Sequence, residues 1–174
     1  MILDTERLIL MPLTADQFDL WVNNISELER ELNCSYRAEP MEGIFKEIVE
    51  GQLLITRDDQ ENYIWHTFWF IIRKKDNVVV GAADFKDVPD KNGNVEIGYG
   101  LGKKFEHMGY MTETVSHICR WALQQKNVKS VIAETDNNGY ASQNILKRCG
   151  FSEYSKSETT WWRLDGGKKM KYIR

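Results

Sequence analysis

Cysteine is scarce and unpatterned in this 174-residue chain: Cys34, Cys119 and Cys149 are odd in number, widely spaced and form no Cys-x-x-Cys. That excludes a disulfide framework as the organising principle, and a reduced, cytoplasmic setting is expected. The histidines His66, His107 and His117 stand at no metal-ligand spacing with these thiols, so no metal is expected. Charge of one sign is lacking too. With 23 Lys and Arg against 26 Asp and Glu, the formal charge of −3 argues against a nucleic-acid partner, which would favour a strongly basic face. The longest apolar run, residues 63–72, is broken by His66 and is half a membrane span. No basic stretch, apolar stretch and small-residue cleavage site open the sequence, so neither a secretory signal nor a membrane association is expected. A serine hydrolase lacks its Gly-x-Ser-x-Gly elbow here. No repeat, linker or low-complexity stretch divides the chain, which reads as one domain over 1–174.

What is present centres on residues 95–121. In 95–101, Val95, Ile97, Tyr99 and Leu101 alternate with Glu96, Gly98 and Gly100, the period of a half-buried strand with one glutamate standing among glycines. After a short loop, Met111, Val115, Ile118, Cys119 and Ala122 fall at helical spacing, predicting an amphipathic helix that opens at Thr112. The start of a helix carries unpaired N–H donors and the positive end of its dipole, so the loop before it is a candidate phosphate site. The 42% apolar content, with six tryptophans, is enough for a sizeable core around it.

Along the rest of the chain, residues 7–11 predict a strand ended by Pro12, and Thr14 with Gln17 three residues on predicts a capped helix carrying Phe18, Trp21 and Val22. A second helix is expected over 41–52, on a stripe of Ile44, Ile48 and Val49. Residues 33–40, with Tyr36 and Arg37, read as a connector or as the rim of a substrate entrance. Residues 63–73 and 78–85 predict paired strands around an Asp76-Asn77 turn, and Asp90-Lys91-Asn92-Gly93 turns into the strand at 95–101, giving an antiparallel meander. Residues 128–135 predict a strand parallel to 95–101, because a helix intervenes. A helix through Ala141, Ile145, Leu146 and Cys149 then stops at Gly150, and 151–154 with 159–164 close the chain as a strand pair. Within that pair, one ring of Trp161-Trp162 is expected in the core and the other beside a cleft or a subunit contact. Cys119, Cys149 and His117 read as packing residues.

Three segments in order carry a resemblance: Thr5-Glu6-Arg7-Leu8-Ile9-Leu10; Val95-Glu96-Ile97-Gly98-Tyr99 with Gly109-Tyr110-Met111-Thr112-Glu113; and Ala141-Ser142 with Lys147-Arg148-Cys149-Gly150-Phe151. Together they resemble the GNAT superfamily of acyl-CoA-dependent N-acetyltransferases, within it the branch related to the ribosomal-protein N-terminal acetyltransferases. The resemblance implies an α/β (α+β) fold with a mixed, mostly antiparallel central sheet flanked by helices. It implies direct transfer of an acetyl group from acetyl-CoA, as cosubstrate, to a primary amine on a small molecule or a protein N-terminus. A monomer or a homodimer is compatible with it.

The same resemblance implies a site. Glu96 is the candidate general base, its alternative being an exposed strand residue paired with a lysine. Backbone N–H groups at Tyr99 and Leu101, with Gly100 between them, would face the pantetheine and the thioester carbonyl. The pyrophosphate loop corresponds to Glu106, His107, Met108, Gly109, Tyr110 and Met111, followed by Thr112. It keeps the middle glycine of the family pattern and departs at Glu106 and Met111. The tyrosine that many members place four residues before the Gly-Phe pair is Leu146 here. Ser142 or Tyr140 is then the candidate acid, and Ser142 equally a capping or CoA-contacting hydroxyl. Asn138 is the candidate pantetheine contact, displaced by one position because Gly139 stands where an asparagine is common. These departures leave a non-catalytic CoA-binding or regulatory module as the alternative function; a nucleotide- or anion-binding protein of unrelated fold is a third.

Overall fold

Strand formation follows the alternation of β-branched and aromatic residues along the chain. The computed structural model describes residues 1–167. β1 (Leu3–Asp4) and β2 (Leu8–Pro12) lie at one edge of the sheet. Thr14 accepts a hydrogen bond from the Gln17 N–H and donates its own N–H to the Gln17 side chain, so α1 (Ala15–Asn23) opens on the expected capping box. α2 (Ile25–Leu32) follows at once, capped by the Asn24 side chain and ended by Asn33 in the left-handed region. The apolar pattern does not foresee this helix, because only Leu28 of its eight residues is fully buried.

Residues 33–40 are more than a connector. β3 (Ser35–Tyr36) pairs in parallel with the start of β5 (Val78–Phe85), beyond the point where the next strand ends. α3 (Gly43–Asp58) is longer than expected, and its buried face is Val49, Leu53 and Thr56. Ile44 and Ile48, expected in the core, are 76% and 50% exposed. Residues 63–73 are also not one strand: Tyr63–His66 make a single helical turn, α4, before β4 (Phe68–Arg73). Tertiary packing overrides strand propensity there, since the turn lays Trp65 against Phe85 and Trp121 with ring centroids 5.1 Å apart in both pairs.

β4, β5 and β6 (Asn94–Leu101) form the antiparallel meander, and α5 (Tyr110–Ala122) leads into β7 (Ser130–Asp136), which is parallel to β6 as a helical crossover requires. α5 begins two residues before Thr112, on Gly109. After α6 (Tyr140–Arg148), β8 (Ser152–Lys156) and β9 (Thr159–Asp165) close the sheet, whose order is β1-β2-β4-β5-β6-β7-β9-β8. Alternate residues of β4 feed two cores. Phe68, Phe70 and Ile72 pack with Phe18, Trp21 and Val49 under α1 to α3, whereas Trp69 and Ile71 pack with Val115, Ile118 and Leu146 under α5 and α6. Trp162 is buried with its N–H donated to Thr135, while Trp161 is half-buried. The two cores fix both faces of β5 and β6, which places the site.

Candidate active site

β6 and β7 run side by side only at their starts. Asn94 pairs with Ser130, Val95 with Val131 and Glu96 with Ile132; beyond these, β6 is paired on its other edge with β5, and β7, paired with β9 along its whole length, has no β6 partner. The two strands therefore diverge directly after Glu96. The Lys86 N–H donates to the Glu96 carbonyl, and the Gly102 N–H to that of Val80. The alternate residues from 96 to 102 thus turn their backbone toward β5. Tyr99 and Leu101 turn theirs the other way, into the gap beside β7, where no strand among the described residues receives them. Donors so placed suit an oxygen that gains charge.

A groove of about 470 Å³ opens from this fork between α5 and α6. Of the residues singled out in the sequence, Tyr99, Gly100, Leu101, Glu106, His107, Gly109, Met111, Thr112 and Ser142 line it. Met108 is 49% exposed and contributes its carbonyl to a loop bond instead, Tyr110 is buried, and Asn138 and Tyr140 do not line the groove, Tyr140 being 69% exposed. Met111 is 3% exposed, so its side chain belongs to the core and leaves the loop's backbone clear. Gly109, with φ of 79°, holds the N-cap position and provides no capping side chain, so the first N–H groups of α5 are open. Glu106 is exposed on the groove wall. Across from it, Arg148 of α6 lines the same groove and makes no ion pair among the described residues. Sequence reasoning missed Arg148, which had been only part of the motif before Gly150.

The loop is held from the far end of the chain. The Glu113 carboxylate, in the first turn of α5, accepts from Thr5 Oγ1 at 2.6 Å, from the Arg7 N–H at 2.8 Å and from Arg7 Nε at 2.7 Å. Arg7 also donates to the Met108 carbonyl at 2.8 Å and lies over the Tyr110 ring. Burial raises the Glu113 carboxyl, but the bonds from Thr5 and Arg7 together outweigh it and hold it below its ordinary value. The N-terminal Thr5-Glu6-Arg7 segment thus positions the groove without lining it.

Ser142 Oγ donates to the Tyr99 hydroxyl at 3.0 Å, so the candidate Ser142 meets at the fork a second hydroxyl, from β6, on a residue that sequence reasoning considers only for its backbone N–H. Burial pushes the Tyr99 phenol well up, which keeps it protonated. Leu146 is fully buried. Glu96, Lys86, Gly98, Glu134 and Ser142 line a side notch of the same fork. Glu96 is half-buried, and burial raises its carboxyl; Lys86 opposes that shift, while Glu134 and Asp84 add to it.

On the α3 side of β5 and β6 a further cavity contains Asp84, which the sequence reading passed over as part of an apolar strand. A charged residue within Val-Val-Val-Gly-Ala-Ala-Asp-Phe was the available signal, because carboxylates are seldom fully buried unless paired. Among the described residues, no group of three or more His, Cys, Asp and Glu side chains could hold a metal, and no helix is long and apolar enough to cross a membrane.

The fork, the open helix end and Arg148 present donors to one groove, a set that fits a pyrophosphate-bearing thioester. Comparison with known proteins agrees with this chemistry. Residues 7–152 match the model of the acetyltransferase (GNAT) domain. An uncharacterised N-acetyltransferase of Bacillus subtilis strain 168, YjdG, is 26% identical over 158 residues, covering 90% of this chain and 92% of its own. A ribosomal-protein-S5-alanine acetyltransferase from Vibrio fischeri superposes with a TM-score of 0.71 at 13% identity, covering 97% of this chain and 98% of its own. A ribosomal L7/L12 α-N-protein acetyltransferase, solved in complex with coenzyme A, superposes with a TM-score of 0.68 at 14% identity, covering 95% and 98%. With the family model spanning residues 7–152, this chain belongs to the GNAT acetyltransferase family.

Proposed function

We propose that the protein transfers an acetyl group directly from acetyl-CoA to a primary amine at the β6–β7 fork, with Glu96 as the base. The observation that carries this reading is the divergence of the strands immediately after Glu96. Bound acetyl-CoA would supply the acetyl group activated as a thioester. Arg148 and the open N–H groups of α5 would hold its phosphates, and the Tyr99 and Leu101 N–H groups would hold the pantetheine and the carbonyl oxygen. Glu96 takes the proton that the acceptor ammonium must lose. The Tyr99 hydroxyl, positioned by Ser142, is the proton source for the departing thiolate and supplies the group that Leu146 cannot. No enzyme thiol takes part. Cys119 and Cys149 are buried with their thiols pushed up by burial, and burial, helped by Glu29, pushes the half-buried Cys34 up to about 11.

The acceptor is either a small amine or a protein N-terminus, the latter in line with the α-N-protein acetyltransferase of ribosomal L7/L12 among the structural neighbours. Incubating the purified protein with acetyl-CoA and an amine and peptide panel should release free thiol. No release across the panel, with no CoA binding by calorimetry, overturns the reading. The fully buried Leu146, where many members carry a tyrosine, favours the second reading, a CoA-binding module without turnover. Binding without any thiol release would select it.

Two variants probe the groove. Tyr99→Phe should lower kcat by about 10- to 100-fold, with the KM for acetyl-CoA changed less than threefold or so; an unchanged kcat removes Tyr99 as the proton source. Arg148→Ala should weaken CoA binding by about tenfold at low salt, a charge-assisted bond being lost. The difference should shrink as ionic strength rises. Calorimetry at two salt concentrations checks both parts, and equal affinities at low salt would remove Arg148 from the phosphate site.

A further inference from the structure

The cavity beside Asp84 lies next to the proposed CoA groove and shares Tyr99 and Gly100 with it, but its remaining walls take no part in that groove. It holds about 170 Å³ on the α3 side of β5 and β6, and its walls include Tyr36, Phe45, Phe68 and Gly98. Asp84 is 5% exposed and has no hydrogen bond or ion pair from its carboxylate among the described residues. It stands opposite Gly98 in the β5–β6 register, and a Cβ at Gly98 would lie 2.6 Å from its Oδ1. The glycine therefore keeps open the space into which the carboxylate points. Glu39 reaches the rim, its Oε2 3.5 Å from where a Cβ at Gly100 would lie. Lys86 is the nearby cation, with its Nζ 3.2 Å from the same Gly98 position, but it is exposed and ion-paired to none of these carboxylates within 4.0 Å. Among the described residues that line this cavity and the adjoining notch, Glu39, Asp84 and Glu96 meet one cation, Lys86.

From this arrangement we infer that the acceptor carries a second ammonium group, which Asp84 binds in the aromatic-walled cavity while the reacting amine lies at Glu96. The inference rests on the acetyl-transfer reading for the reacting amine and goes beyond it for the substrate class: an alkyl amine with a second cationic nitrogen on a short chain. A buried carboxylate without a hydrogen-bond or ion-pair partner is costly and an ammonium relieves that cost, which also matches the rise that burial imposes on the Asp84 carboxyl against the opposing charge of Lys86. The aromatic walls suit both the methylene chain and the cation at its end. The size fits as well, since a cavity of about 150 Å³ accepts a benzene-sized group. Asp84 and Glu96 share one face of the strand pair, and their positions differ by two residues along it, or about 7 Å, a reach matched by a chain of about four carbons.

The test compares 1,4-diaminobutane with butylamine, in the wild type and in Asp84→Asn, by calorimetric binding to the CoA-saturated protein and by thiol release from acetyl-CoA. The diamine should bind the wild type at least about tenfold more tightly than butylamine, and the preference should fall below about twofold in Asp84→Asn. A Lys-initiated tetrapeptide against a norleucine-initiated one separates sources. A preference there places the second ammonium on a peptide, and a preference confined to free amines places it on a small diamine. Equal binding of diamine and butylamine by the wild type, without discrimination between the peptides, overturns the inference. So does a preference untouched by Asp84→Asn. If Asp84→Asn does not fold, Gly98→Ala fills the same space and should abolish the preference. Because binding is read separately, a failure of thiol release counts against the acetyl-transfer reading and not against this one.

Discussion

Glu96→Gln is expected to lower kcat by about 10²- to 10³-fold while CoA binding stays within about twofold, because the side chain faces the fork's notch and not the phosphate end of the groove. The amide keeps the shape and removes the proton acceptor. Wild-type kcat should rise with pH through the ionisation of Glu96, which burial places above the ordinary carboxylate value of about 4.3. In Glu96→Gln that rise disappears, and only the acceptor's own deprotonation at higher pH remains. The effect on stability has the opposite sign. A carboxyl whose folded pKa is raised contributes stability below its unfolded pKa, and that contribution is lost as pH rises through the folded value. At neutral pH the ionised Glu96 therefore opposes folding, and the glutamine variant should melt at the wild-type temperature or above it. A variant inactive because it is unfolded would show the reverse. Steady-state rates across pH, with thermal melts at neutral pH, separate the cases, and a retained kcat removes Glu96 as the base.

The parts of this site that were legible in the sequence are those written in local periodicity. The alternation from Val95 to Leu101 placed Glu96 on the face with Gly98 and Gly100, and β6 has that pattern. The Met111, Val115, Ile118, Cys119 stripe gave α5, and its start moved by two residues because Gly109 in the left-handed region allows the helix to open earlier. The resemblance implied open N–H groups at Tyr99 and Leu101, but the periodicity of neither strand records the fork itself, since β7 is paired with β9 along its whole length and β6 leaves it after Glu96. Arg148 and Asp84 are legible as charges but not as neighbours of a groove or a cavity, which are made by elements far apart in the chain. Ile44 and Ile48 show the converse. Their apolar character suggested a core stripe, yet of that stripe α3 buries only Val49, with Leu53 beside it, and turns Ile48 to the cavity beside Asp84. A function-bearing surface and a core are written in the same residues, and only the packing partners distinguish them.

Glu113→Ala tests the other long-range feature, the N-terminal brace on the loop before α5. The carboxylate is 12% exposed in its ion pair with Arg7 and takes three hydrogen bonds from Thr5 and Arg7. Its removal leaves the Arg7 N–H and guanidinium without that acceptor, so a loss of about 2–4 kcal/mol is expected, charged hydrogen bonds being among the stronger ones. For a chain of this length that lowers Tm by roughly 6–12 °C. CoA affinity should fall as well, because Arg7 carries the connection from Glu113 to the Met108 carbonyl inside the loop. The pH dependence distinguishes this ion pair from simple packing. Glu113 is held below its ordinary value, so its contribution is present above the unfolded pKa of about 4.3 and is lost as pH falls through the folded one. The gap in stability between wild type and Glu113→Gln should therefore be widest near neutral pH and close in acid. Denaturant unfolding at several pH values measures it. A gap below about 0.5 kcal/mol at neutral pH would mean that the loop is held by the α5 core alone, on Met111 and Val115, and that the Thr5-Glu6-Arg7 segment has no part in shaping the groove.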